Sequence, residues 1–212
     1  NYQKNNNLCK AKEELLFAYK LCHKSSINRY RILLLLIPIQ IVMGYLPNVH
    51  ALPRCFAQRF EPIVEALKSG NLLLFKQAIN FYQDDFINSG IYLLMLKLDI
   101  LVFRQLINKI YVVRKNMNDE SKPHIISLNL IKSAMEIQSK LYMKSKWYAK
   151  LNGKHEETQM EMDLDEIECI LSTLIFKKLI KGYIAHQNAV VLSTKLAFPN
   201  IKDVANWYKS DF

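Results

Sequence analysis

The chain has 212 residues, half of them hydrophobic, enough to enclose a core and of a size at which one domain or two small ones are equally natural. Its 29 Lys and Arg against 19 Asp and Glu leave a formal charge of +10, an excess that points to an anionic partner such as nucleic acid, an acidic protein or a membrane surface. Four scattered cysteines, Cys9, Cys22, Cys55 and Cys169, without a C-x-x-C pair suggest neither a disulfide framework nor a zinc site, so no metal or other cofactor is expected and a reduced, intracellular protein is.

Residues 10 to 23, KAKEELLFAYKLCH, carry Leu15, Leu16, Ala18, Tyr19 and Cys22 at helical spacing, and Ser25 and Ser26 stop the pattern. Asn28 is placed to cap the next helix, which runs into ILLLLIPIQIVMG (32 to 44). That stretch is shorter than the roughly 20 residues of a bilayer span and is interrupted by Pro38, so it reads as a kinked core helix with no membrane insertion. The chain starts without Met or a basic-then-apolar leader and reads as a piece of a longer protein.

FEPIVEALKSGN supplies another set of helix signals, with Pro62 near the first helical position, Glu61 and Glu65 near the positive end, and Lys68 before Gly70. Asn71 then caps LLLFKQAINFY, and Gly90 precedes a run to Lys115 whose Tyr92, Met95, Leu96, Leu98, Val102, Leu106, Ile110 and Val113 predict one long, mostly buried helix. Antiparallel helices joined by Gly, Asn and Pro turns predict a helical-repeat solenoid over 1–122.

The texture changes after Lys122-Pro123, where a second subdomain, 123–212, is expected. HIISLNLIKSAMEI reads as a short helix, and the polar 138–162 stretch that follows reads as an insertion. Asp163 and Glu166 then make a capping-box pattern, and Ile167, Ile170, Leu171, Leu174, Ile175, Leu179 and Ile180 draw one buried stripe as far as Gly182, the expected terminator. YIAH and VVLS around QNA predict a hairpin.

No Gly-rich phosphate loop, H-E-x-x-H, G-x-S-x-G or calcium-loop pattern occurs, and Asp84-Asp85 and Glu156-Glu157 sit in polar surroundings, so no enzyme is expected.

Helix, turn, helix and hairpin is the order of a winged helix. Helical repeats running into such a module resemble the PCI domain, and the pattern acidic-x-x-E-apolar continuing to Leu-Ile, then a strand after a Lys-Gly break, is similar to residues 165 to 175 with Lys181-Gly182-Tyr183-Ile184. KEELLFAYKLCHKSS, the Leu-rich helix ending MGYLP, SGNLLLF, SGIYLLMLKL and DLDEIECIL with LIKGYIAHQ look, within that family, like the PCI-containing subunits of the nuclear transcription-export complex two. The resemblance covers nearly the whole chain except 138 to 162. It implies a mainly α fold, a TPR-like helical-repeat solenoid followed by a winged helix. It also implies a non-enzymatic scaffold for mRNA export in the nucleus, at the nuclear pore. The implied partners are a large GANP-like export scaffold subunit, a small acidic subunit shared with the proteasome lid, and RNA or single-stranded nucleic acid bound with little sequence preference. A PCI subunit of a proteasome-lid, signalosome or translation-initiation assembly, and a winged-helix DNA-binding regulator, are the alternatives.

In a base-reading helix-turn-helix the start of the recognition helix enters the groove, but here that start carries Asp163, Asp165, Glu166 and Glu168. The candidates for phosphate contact lie at the other end, Lys177, Lys178 and Lys181, with His186 in the hairpin. A second set lies in the insertion, Lys140, Lys144, Lys146 and Lys150 with Trp147 as a stacking ring, against the alternative of an exposed loop. Arg104, Lys109, Arg114 and Lys115 are further cations on the long helix.

Overall fold

The computed structural model describes residues 7–23, 26–117, 122–151, 162–185, 188–204, 207 and 208. Among the described residues, ten α-helices and three strands follow in the order α1 (Asn7–Leu21), α2 (Ile27–Val42), α3 (Arg54–Ser69), α4 (Leu72–Phe81), α5 (Gln83–Asn88), α6 (Tyr92–Leu96), α7 (Asp99–Asn116), β1 (Ile125–Ser127), α8 (Leu128–Met143), α9 (Lys146–Leu151), α10 (Leu164–Phe176), β2 (Gly182–Ala185) and β3 (Ala189–Leu192), with short 3-10 turns at Val49–Ala51 and Ile201–Asp203. The result is the expected mainly α architecture, a helical repeat followed by a winged helix. No helix of the described residues is long and apolar enough to cross a membrane.

The first helices pack in consecutive pairs, α1 on α2 and α3 on α4, and α7 lies against both α3 and α4. Ser26, rather than Asn28, caps α2, its side chain accepting from the Asn28 N–H, and α2 runs through Pro38 to Val42 with Pro38 itself buried. α3 starts at Arg54, well before Pro62, so Pro62 lies in the helix interior and Glu61 and Glu65 sit mid-helix. An interior proline leaves the carbonyl four residues back without its helical donor. Here that carbonyl belongs to Gln58, and the Tyr82 hydroxyl donates to it at 3.0 Å.

The α3–α4 turn is as the sequence predicts. Gly70 closes α3 in the left-handed region (φ 72), and the Asn71 side chain accepts from Leu74 N–H at 2.9 Å to start α4. Gly70 also meets α7 edge-on: a Cβ there would stand 2.7 Å from the Leu106 nitrogen. The predicted single helix after Gly90 is two, α6 and α7, broken at Lys97 and Leu98; a continuous apolar run hides such a break, because Met95, Leu98 and Leu101 are all buried across it.

Residues 125–127, read as helix, form β1 instead. It pairs antiparallel with β3 (Ile126 opposite Val190), and β2 pairs with the other edge of β3 (Ile184 opposite Val190), giving the order β1-β3-β2. Alternation puts Ile126 and Val190 in the core and Tyr183 outside. α8 packs against α4, α7 and α10.

The expected insertion at 138–162 is only partly an excursion. Residues 138–143 complete α8 and 146–151 form α9, which packs on α4 and α8 and buries Trp147 and Leu151, while Tyr142 is buried on α8. Residues 152–161 lie outside the described residues, as do 118–121, beside the expected 122/123 boundary. Buried side chains from Leu33 to Trp207 form one contiguous cluster. The C-terminal segment closes back on the end of α2 and on the α6–α7 break, with Trp207 Nε1 donating to the Val42 carbonyl at 3.0 Å and Lys97 Nζ to the Tyr208 carbonyl at 3.1 Å.

Candidate nucleic-acid interface

The helix before the wing is fixed at both ends. At its start the Asp163 carboxylate accepts from the α10 backbone and Glu166 Oε2 accepts from the Asp163 N–H at 3.3 Å, a complete capping box. Asp163, Asp165 and Glu166 are exposed and Glu168 half-buried. Ile167, Leu171 and Leu174 face the core. The groove-facing position of a base-reading helix is therefore lined here by carboxylates, which repel phosphate.

The far end does not use Gly182 as its terminator. α10 stops at Phe176, Leu179 N–H bonds back to Leu174 O and Lys178 N–H to Ile175 O, both at 2.9 Å. This is a Schellman closure with Lys178, at φ 58, in the left-handed position that glycine usually takes. Gly182 instead opens β2, where a Cβ would collide with the Val191 carbonyl oxygen of the neighbouring strand. Closure at 178 turns the chain toward the wing and leaves the Lys178 side chain exposed at the corner.

A buried arginine holds both ends of the wing. Arg104 is 7% exposed; Nε donates to Leu179 O at 2.9 Å, just before β2, and Nη2 donates to Pro199 O at 2.5 Å, after β3. Its guanidinium also lies 5.6 Å from the centroid of Phe198. Burial lowers its pKa, and among the described residues no carboxylate pairs with it. Arg104 is a joint between α7 and the wing and is not on the basic surface the sequence suggested. Of the other α7 cations, Lys109 and Lys115 are exposed, whereas Arg114 is half-buried and its Nε is enclosed.

Lys178 and Lys181 are exposed and Lys177 is half-buried. Lys181 is held through its backbone, N–H to Ala197 O and O from Ser193 N–H, both 2.8 Å. Two aromatic rings missed in the sequence join them: Phe176 is 70% exposed and Tyr183 63%. Phe176 falls off the buried 167-171-174 stripe, and Tyr183 alternates with inward Ile184, so both were legible from spacing alone. His186 lies outside the described residues.

The second set of candidates is arranged differently. Trp147 is 1% exposed and its Nε1 donates to Glu65 Oε2 at 2.6 Å, so the ring is part of the core and cannot stack on a base. Lys146 Nζ pairs with Glu61 Oε1 at 2.9 Å, a bond that raises its pKa, and the Lys146 and Lys150 ammonium groups each lie 4.7 Å from the Trp147 centroid. Lys146 therefore joins α9 to α3. Lys140 and Lys144 are exposed at the end of α8, and Lys150 on α9. The two sets sit on different elements, one at the wing and one where α9 meets α3 and α4.

Among the described residues no group of His, Cys, Asp and Glu is placed to hold a metal ion. What the wing presents is exposed ammonium groups and exposed rings, the side-chain types from which sequence-tolerant nucleic-acid surfaces are built.

No family model matches the chain. It is, however, similar to several curated proteins. Enhanced ethylene response protein 5 of Arabidopsis thaliana is 34% identical over 199 residues, 93% of this chain and 43% of that protein. PCI domain-containing protein 2 of Xenopus laevis is 32% identical over 92% of this chain and 43% of its own length, and the PCI domain-containing protein 2 homolog of Dictyostelium discoideum 34% identical over 91% and 39%. The chain spans about two fifths of the length of these curated relatives. The matches to PCI domain-containing protein 2, together with a helical repeat that feeds a winged helix, place the chain in the PCI-domain family.

Proposed function

We propose that the chain is the PCI module of a non-catalytic scaffold subunit of a nuclear mRNA-export complex, acting at the nuclear pore. In this reading it binds a large GANP-like scaffold subunit and a small acidic subunit, and holds RNA or single-stranded nucleic acid with little sequence preference. The similarity to proteins named PCI domain-containing protein 2 supports a role as a complex subunit. The observation that carries the nucleic-acid half is the corner where Phe176, Lys178, Lys181 and Tyr183 are all exposed while Arg104 secures both ends of the wing. The carboxylates at the start of α10 speak against the alternative of a sequence-reading DNA regulator.

The test is binding of unrelated single-stranded and duplex oligonucleotides across a salt series. Affinity should be alike for unrelated sequences and fall steeply with salt. Replacing Lys177, Lys178 and Lys181 with Glu should lower the slope of log K against log salt by about 2 to 3. An unchanged slope removes the wing from the binding surface, and strong preference for one duplex favours the regulator.

A further inference from the structure

Beyond the wing, two lysines from distant parts of the chain converge on one tyrosine. Lys12 Nζ, on α1, and Lys202 Nζ, on the last 3-10 turn, each lie 4.1 Å from the centroid of Tyr45. The two ammonium groups are thus no more than about 8 Å apart, close enough to repel each other. Neither pairs with a carboxylate among the described residues. Tyr45 is 42% exposed, and Lys202 is exposed.

The convergence is built by the backbone. A Cβ at Gly44 would stand 3.0 Å from Ile201 Cβ, so the turn after α2 lies directly against the 201–203 turn. Asn200 caps that turn, its side chain accepting from Lys202 N–H at 3.2 Å, and Trp207 bonds to Val42 beyond it. With its ring engaged by two cations, Tyr45 holds them in place, and the site presents positive charge.

What connects this site to the wing is the strap that leaves β3. Its start is bonded to Lys181 through Ser193 and Ala197, its middle to Arg104 through Pro199, and its end is the turn that carries Lys202. Lys195 on the strap is exposed. Lys202 follows Lys195 by seven positions, a span of at most about 25 Å for an extended chain. Exposed cations therefore recur from Lys178 and Lys181 through Lys195 to Lys202 along one bonded path, with half-buried Lys12 beside Lys202 at the Tyr45 ring.

We infer that Lys12 and Lys202, held on Tyr45, form a second phosphate-binding anchor, and that a single-stranded nucleic acid engaged at the wing runs along the 193–203 strap to reach it. The inference rests on the nucleic-acid reading of the wing proposed above. A flexible phosphodiester strand suits the arrangement because it delivers repeated negative charge over that span.

The experiment uses the 212-residue chain and oligo(dT) of about 5 and about 15 nucleotides, within the range of ordinary single-strand site sizes, titrated by fluorescence anisotropy from 50 to 200 mM salt. Lys12→Gln/Lys202→Gln should match the parent protein on the short strand. On the long strand its salt slope should be smaller by about 1.4, two phosphates at about 0.7 each, a loss of about sevenfold in the salt response over that range. Lys12→Arg/Lys202→Arg, which keeps charge and ring contact, should restore the parent slope. Equal slopes for the Gln pair and the parent on the long strand overturn the anchor alone, provided Lys178→Gln/Lys181→Gln still weakens binding. Absence of binding by the parent chain at either length overturns the anchor and the wing reading together.

Discussion

Replacing Arg104 by Met keeps most of the apolar stem but leaves Leu179 O and Pro199 O, on either side of the wing, without their donor. Hydrogen bonds to a charged group are worth about 1.5 to 3 kcal/mol each, and stranding a buried carbonyl costs about 1 to 3 kcal/mol. Against that, the variant no longer buries a guanidinium whose desolvation is offset by carbonyls and the Phe198 ring with no carboxylate partner, so the net loss should be about 2 to 4 kcal/mol. Arg104→Lys can keep one of the two bonds and should lose about 1 to 2 kcal/mol. Urea unfolding monitored by circular dichroism measures both. The destabilisation should start locally, with faster amide exchange in β2 and β3 than in α3 and α4. Both variants within about 0.5 kcal/mol of the parent, the range of an ordinary surface change, would refute the joint.

Three further outcomes follow from the geometry. Lys178→Gly should stabilise the chain by about 0.5 to 1 kcal/mol in thermal unfolding by relieving the left-handed position at the Schellman closure, while weakening oligonucleotide binding. Trp147→Ala should cost about 3 to 5 kcal/mol, since it empties a core site and leaves Glu65 without its indole donor, whereas Lys150→Ala on the same helix should cost under about 0.5 kcal/mol. Deleting 138–162 should abolish cooperative unfolding, because it removes Tyr142, Trp147 and Leu151 from the core; a deletion that unfolds with the parent's midpoint would show that α9 is peripheral.

The parts of the fold legible in the sequence are those decided by local chemistry. The Gly70–Asn71 turn, the Asp163–Glu166 capping box and the buried stripe of α10 each depend on residues within a few positions of one another. The hairpin was readable as two β-prone runs; its third strand was not, because Ile125–Ser127 is too short to declare itself and takes its pairing from β3 at the far end of the chain. Pro62 looked like a helix start because the compensation for its missing donor comes from Tyr82 on another element. Trp147 and Arg104 were misread for the same reason: among lysines on a polar stretch, or on a charged helix, nothing local announces a Glu65 carboxylate or two strap carbonyls waiting across the core. Conversely, Phe176 and Tyr183 were within reach, one by its angle on the helix and the other by strand alternation.

The central claim, a scaffold subunit of a nuclear mRNA-export complex, is tested most directly by purifying the tagged full-length protein under mild conditions and identifying its stoichiometric partners. The account predicts one large scaffold subunit and one small, strongly acidic subunit, retained after nuclease treatment, with the assembly located at nuclear pores. Recovery of the proteasome lid, the signalosome or a translation-initiation particle in their place would contradict it.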